Sequence, residues 1–156
     1  MVNIRSILFP CDFSEHTETI LEYVVSLAQK YDSEVYLLHV VHDLSILGGF
    51  RVPESSVSTF HQKALEGAKE AMEEIVRSNL EDAPQLRRQA IVGDPAVEIL
   101  RAVETEGIDL IVMGTHGRRG LEHTVFGSVA EKVVQRSPVP VLTVNPYLVK
   151  TKRKKS

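Results

Sequence analysis

An α/β fold of the doubly wound kind, a five-stranded parallel sheet between helices, is the class this sequence predicts, and three observations carry it. Apolar runs of strand length alternate with segments of helical periodicity along the chain, the pattern of parallel strands joined by right-handed crossovers. The run Glu34–Val41 is apolar nearly throughout, as a strand covered on both faces must be. Glycines follow the apolar run Leu110–Met113, where a strand of such a sheet gives way to a ligand-binding loop.

Taken in order, Ile4–Phe9 is a short apolar run stopped by Pro10 and reads as the first strand. Asp12-Phe13-Ser14-Glu15 supplies cap-type residues ahead of a helical pattern. Ile20, Leu21, Val24, Val25 and Ala28 then recur at three- and four-residue steps, forming one apolar stripe that ends at Asp32-Ser33. Glu34–Val41 is the second strand. From His42 to about Ser56 the composition is mixed, with Gly48, Gly49 and Pro53, which predicts a loop that moves. Leu65, Ala68, Met72, Ile75 and Val76 mark a second helix, interrupted near Asp82-Ala83-Pro84, and Leu86–Val92 is a third strand of weaker alternation. Gly93-Asp94-Pro95 is a helix start, with Asp as N-cap and Pro at the first helical position. That helix runs through Val97, Ile99, Leu100 and Val103 to Gly107. Ile108–Met113 is the fourth strand; Val129, Ala130, Val133 and Val134 mark a fourth helix ending near Ser137-Pro138, and Val139–Val144 is the fifth strand.

With 156 residues, 43% hydrophobic and 25% charged, the chain can bury one core of its own, so a single domain is expected. That domain spans residues 1–146, and residues 147–156 are read as a basic, disordered tail. Lys150, Lys152, Arg153, Lys154 and Lys155 concentrate positive charge there while the whole chain carries −3, so the body is acidic. An acidic body argues against specific nucleic-acid binding, which needs a clustered basic face, and the tail is read as a solvated end. No stretch approaches the roughly 18 apolar residues that cross a bilayer, and Met1–Leu8 holds no apolar leader. Cys11 is the lone cysteine, in agreement with a reducing compartment. The expected location is the cytoplasm.

The most informative segment is Gly114-Thr115-His116-Gly117, followed after nine residues by Gly127-Ser128. Gly114 lets the chain leave the strand without a Cβ collision, Gly117 is free to take positive φ, and Gly127 lets backbone approach a ligand. Ser128 and Val129 open the fourth helix, where unpaired N–H groups and the helix dipole favour an anion. The geometry suits a di- or triphosphate. The P-loop pattern Gly-x4-Gly-Lys-Ser/Thr is absent, the spacing of Gly114, Gly117 and Gly120 does not match the dinucleotide fingerprint, and the His-x-Gly-His of adenylyl transferases is incomplete.

These residues resemble the ATP-binding signature of the universal stress protein family: Gly114-x2-Gly117-x9-Gly127-Ser128. The resemblance extends over nearly the whole chain, through Ile7–Ser14, Leu37–Val40, Gly93-Asp94-Pro95, Asp109–Gly114 and Ser137–Val141. It implies the strand order 3-2-1-4-5, with adenine held near Asp12 and Val40, and Pro10, Cys11 and Met113 are counted among the nucleotide-binding residues. It implies phosphates held by the turn from Gly114 through His116 to Gly117, and by Gly127, Ser128 and Val129. ATP, or AMP or ADP, is the implied cofactor, and a homodimer through the fifth strand the implied assembly, which physically would cover an open sheet edge. Cys11 departs from the family's usual Thr or Val and forgoes a hydroxyl hydrogen bond.

Individual side chains carry two readings each. Asp12 is placed to reach ribose or a magnesium ion, or simply to cap the first helix. His116 is placed to contact phosphate or ribose, or to face solvent from a loop. Arg118 and Arg119 are read as surface arginines, His39 as a hydrogen-bonded core residue, and Cys11 as a buried small residue rather than an oxidant sensor. His16, His42, His61 and His123 show no metal-ligand spacing. The function these residues predict is an ATP-binding regulatory or stress-response protein with no assigned catalytic residue. The alternatives are a slow ATP hydrolase using Asp12 and magnesium, and a scaffold whose edge strand or tail recruits partners.

Overall fold

The computed structural model describes residues 1–46, 52–81, 83–116 and 126–149. Five parallel strands, β1 (Ser6–Pro10), β2 (Glu34–His42), β3 (Gln85–Gly93), β4 (Leu110–Gly114) and β5 (Val141–Val144), form one sheet in the order β3-β2-β1-β4-β5. The helices α1 (Thr17–Tyr31), α2 (Glu54–Asn79), α3 (Pro95–Thr105) and α4 (Ser128–Arg136) lie between them. Fold class and strand order are those expected.

The sheet carries a core on each face, and the two-residue period of its strands sorts side chains between them. Ile7 and Phe9 of β1, Val35 and Leu37 of β2, and Leu110 and Val112 of β4 pack with Ile20, Leu21, Val24 and Ala28 of α1 and Met72 of α2. Leu8, Tyr36, Leu38, Val40, Ile111 and Met113 face the other way, against Ala96, Ile99, Ala102 and Val103 of α3 and Ala130 and Val133 of α4. This is why β2 reads as almost unbroken apolar sequence: neighbouring residues serve different cores.

Local signals at helix ends behave as their chemistry dictates. The carboxylate of Asp94 accepts the Val97 N–H at 3.1 Å, capping α3 behind Pro95. Gly107 leaves α3 at φ 66°, and Asp32 leaves α1 at φ 53°, a conformation aspartate tolerates because its side chain bonds locally.

Three details differ from the sequence reading. The residue at the start of α1 is His16, which makes no side-chain cap bond, whereas Asp12 and Ser14 close two successive turns in the loop before it. Asp12 Oδ1 accepts the Ser14 N–H at 3.0 Å, and Ser14 Oγ accepts the His16 N–H at 3.3 Å. The chain has to reverse between strand and helix, and short polar side chains serve that reversal before they serve the helix. Within the loop expected over His42–Ser56, β2 runs on to His42, a 3₁₀ turn covers Leu44–Ile46, and α2 begins at Glu54. Gly48 and Gly49 lie outside the described residues, as does Asp82. Finally, the folded body reaches at least Val149: a helical turn over 146–149 is held by Asn145, whose side chain accepts the Tyr147 N–H at 3.2 Å, and Val149 packs on the first core. Residues 150–156 lie outside the described residues. Among those described, no helix is long and apolar enough to cross a membrane.

Candidate functional site

β1 and β4 are neighbours at the centre of the sheet, yet the helix after β1 packs on one face and the helix after β4 on the other. Their following loops therefore part, and a crevice opens beyond the strand C-termini, the position where sheets of this kind receive ligands. Two chain segments form its walls.

The first wall is Pro10–Ser14. Cys11 extends the ladder past β1 by donating its N–H to Leu38 O at 2.8 Å, and its own carbonyl lies 2.6 Å from His39 Nδ1. His39 is thus the hydrogen-bonded residue expected, holding the loop to β2. Phe13 follows at φ 57°, unfavourable for a bulky side chain by about 1 kcal/mol. Its ring lies 4.3 Å from that of His39, and its N–H donates to Cys11 Sγ at 3.5 Å. Asp12 is half-buried beside it.

Cys11 is buried with Sγ 3.8 Å from Thr17 Oγ1, and burial pushes its thiol up to about 11, more than the Phe13 N–H and Thr17 hydroxyl bring it down. Since the thiol's ordinary value is 9.0, the unfolded chain releases this proton before the folded one does. Stability associated with Cys11 is fully present below pH 9 and declines as pH rises through about 11. The expected result is a thiol that resists alkylation at pH 8 in the native protein and reacts promptly in denaturant; equal rates in both states would contradict the burial.

The second wall is Gly114–His116 with Gly127–Val129. A Cβ on Gly114 would meet Ile20 Cδ1 at 2.7 Å and the His116 carbonyl oxygen at 3.2 Å, so a side chain here would push Ile20 aside and crowd the chain at His116. Thr115 is the hub of this wall. It donates its N–H to Val144 O at 2.9 Å, extending the β4–β5 ladder, and its carbonyl accepts the Gly127 N–H at 2.7 Å. That second bond plants the N-terminus of α4 at the C-terminal end of β4. Gly127 is the N-cap, Ser128 is exposed, and Val129 is half-buried against the second core. The N–H groups at the start of α4 have no intrahelical acceptor, and the helix dipole adds positive potential.

His116 is buried, unlike a solvent-facing loop histidine, with Nδ1 2.7 Å from Thr115 Oγ1 and its ring 5.3 Å from that of Tyr147. Val40 and Met113 stand near the C-terminal ends of β2 and β4, with their side chains in the second core. Gly117, Arg118 and Arg119 lie outside the described residues. Among the described residues, no three His, Cys, Asp or Glu side chains gather as a metal site would require.

Sequence reasoning passed over Phe13, Thr115 and Tyr147. No sequence signal marks the left-handed backbone of Phe13 or the two main-chain bonds of Thr115. Tyr147 did have one: Asn145-Pro146 is a helix-start pair, and it argues for order where a tail was expected.

The sequence profile described as the Universal stress protein family matches residues 3–145. Universal stress protein MJ0577 of Methanocaldococcus jannaschii is 37% identical, covering 92% of this chain and 96% of that protein. The solved structure of MJ0577 matches with a TM-score of 0.82 at 35% identity, over 92% of this chain and 97% of that one. Universal stress protein UspA from Lactobacillus plantarum matches with a TM-score of 0.81 at 25% identity, over 93% of this chain and all (100%) of that one. The universal stress protein from Archaeoglobus fulgidus in complex with dAMP shares the fold, with a TM-score of 0.62 at 20% identity over 93% of this chain and 100% of that one.

Proposed function

This chain belongs to the universal stress protein family, and we propose that it binds an adenine nucleotide in the crevice beyond β1 and β4 and acts as a nucleotide-dependent regulatory protein of the cytoplasm. The observation that carries this reading is the 2.7 Å bond from the Gly127 N–H to Thr115 O, which sets an anion-binding helix N-terminus against the end of a central strand. The phosphates of ATP, or of ADP or AMP, lie on the amides of Ser128 and Val129 and on the Gly114–Gly117 turn. The base lies against Pro10, Cys11, Asp12 and Val40. The dAMP complex of the Archaeoglobus fulgidus protein supports the reading only so far as this fold has room for such a ligand.

Magnesium fits as an ion carried by the nucleotide. It keeps much of its water, and one carboxylate together with phosphate oxygens is an ordinary protein contribution. Asp12, half-buried on the first wall, is the residue that would supply it. A regulatory role suits the second wall, because main-chain amides hold a phosphate without transferring a proton, and the buried His116 is engaged with Thr115 and Tyr147. A homodimer through β5 belongs to the same proposal: among the described residues β4 is the one sheet neighbour of β5, and Val141, Leu142 and Thr143 are partly exposed. Pairing with a second copy would cover that edge.

Calorimetry with ATP, ADP and AMP tests the site. Gly127 has φ −70° and ψ 163°, which alanine adopts without backbone strain, so Gly127→Ala adds a methyl at the proposed phosphate contact. The expected result is binding by the wild type and a Kd raised about tenfold in the variant, the effect of a modest steric clash. No binding heat from the wild type with any of the three would overturn the proposal.

A further inference from the structure

Tyr147 joins the second wall of the crevice to the start of α1. Its ring lies 4.8 Å from that of His16, which is 3% exposed and opens α1, and 5.3 Å from that of His116, which is 2% exposed and follows β4. Both contacts are edge-on, with interplanar angles of 69° and 74°, the arrangement in which the positive edge of one ring meets the negative face of another. The two histidines are 100 residues apart in sequence, one at the entry to α1 and the other just past the end of β4. Tyr147 itself belongs to neither wall: it comes from the chain beyond β5, anchored by the Asn145 side chain, whose Oδ1 lies 3.2 Å from the Tyr147 N and 3.4 Å from the Leu148 N.

We propose that Tyr147 is a positioning residue for the nucleotide site, holding His116 at the end of β4 against His16 at the start of α1 and thereby coupling nucleotide occupancy to the chain segment beyond β5. This rests on the nucleotide-binding reading above and deepens it. His116 follows Thr115 directly, and Thr115 O holds the Gly127 N–H, so displacement of His116 moves the residue that places the N-terminus of α4. A His116 without that ring contact would carry Thr115 through a wider range of positions, and the amides of α4 that Thr115 places would converge less well on one phosphate. The Tyr147 ring removes those positions before the ligand arrives, which raises affinity through preorganisation rather than contact. By linkage, if the docked Tyr147 ring raises nucleotide affinity, bound nucleotide favours the docked ring by the same free energy. The β5 edge and the segment leading to the basic tail then sense the ligand through one aromatic ring and the bond from Thr115 N–H to Val144 O.

The test compares Tyr147→Phe, Tyr147→Leu and Tyr147→Ala with the wild type, by ATP calorimetry and by NMR of the histidine and tyrosine ring signals. Phe keeps both edge contacts and is expected to bind ATP more tightly than the Leu variant. Leu keeps apolar volume, and so the fold, but loses the rings' contact; its Kd is expected to rise about tenfold, and the His16 and His116 signals to shift. Ala is expected to do the same where it folds, and Leu decides the matter where it does not. In the wild type, saturating ATP is expected to shift the Tyr147 ring signals. Wild-type affinity in the Leu variant, or a Phe variant as weak as Leu, overturns the positioning role while leaving nucleotide binding standing. Failure of the wild type to bind ATP, ADP or AMP overturns the binding reading and this inference together.

Discussion

Ser128→Glu is expected to abolish measurable nucleotide binding while leaving the protein at least as stable as the wild type. Ser128 is exposed at the first position of α4, directly after the N-cap Gly127. A carboxylate there occupies the anion position itself. At about 5 Å from a phosphate and an effective dielectric constant of about 20, the repulsion is roughly 3 kcal/mol, which corresponds to more than a hundredfold in Kd. The same negative charge interacts favourably with the helix dipole, by about 0.3 to 1 kcal/mol, so a thermal melt is expected to be unchanged or slightly raised. The two opposite signs make the result hard to confuse with misfolding. Ser128→Ala, which adds no charge, is expected to lose far less affinity, and higher salt is expected to restore part of the binding lost by the glutamate variant. Calorimetry and melting curves on the three proteins check this; binding by Ser128→Glu within twofold of the wild type would mean the phosphates lie elsewhere.

Phe9→Ala is expected to give the largest loss of stability, about 3 to 5 kcal/mol. Phe9 is 1% exposed in the central strand, with Leu37 of β2 as its register partner, and packs among Ile7, Leu21, Val24 and Val112. Truncation leaves a cavity that the sheet on one side and α1 on the other prevent from closing, because both are tied by main-chain bonds. A loss of that size is a large fraction of the 5 to 15 kcal/mol by which domains are stable. Urea unfolding is expected to show a lower midpoint at an unchanged slope. Because Pro10 and Cys11 follow at once, nucleotide binding is expected to fail at a lower temperature in this variant, in step with unfolding. A loss below about 1 kcal/mol would mean that the first core is not packed around this ring.

The two halves of the site were unequally legible. Asp94 and Gly107 bound α3 by chemistry confined to a few neighbouring residues, so the helix could be read at both ends. Gly114 was legible for the same reason: a strand leaving an apolar run needs a residue without a Cβ, and Ile20 and the His116 carbonyl are what that Cβ would meet. Asp12 and Ser14 were recognised as residues that turn the chain, but the turn they make precedes α1 instead of capping it. Cap-type side chains satisfy whichever nearby N–H the backbone presents, and that depends on how sharply the chain must reverse. Tyr147 was assigned to a tail because charge dominates the residues after it, and the two histidines it meets are far away in sequence.

Local chemistry was enough to establish the alternation of strand and helix, the sharing of strand residues between two cores, and the glycine positions around the fourth strand, because each depends on side chains a few residues apart. The strand order came with the family resemblance. Only the folded chain decided that Thr115 carries both the β5 ladder and the N-terminus of α4, that Phe13 holds a left-handed backbone over His39, and that Tyr147 bridges His16 and His116. Those contacts join segments brought together by the sheet, and no periodicity or spacing along a chain encodes which distant residues will meet once both cores close.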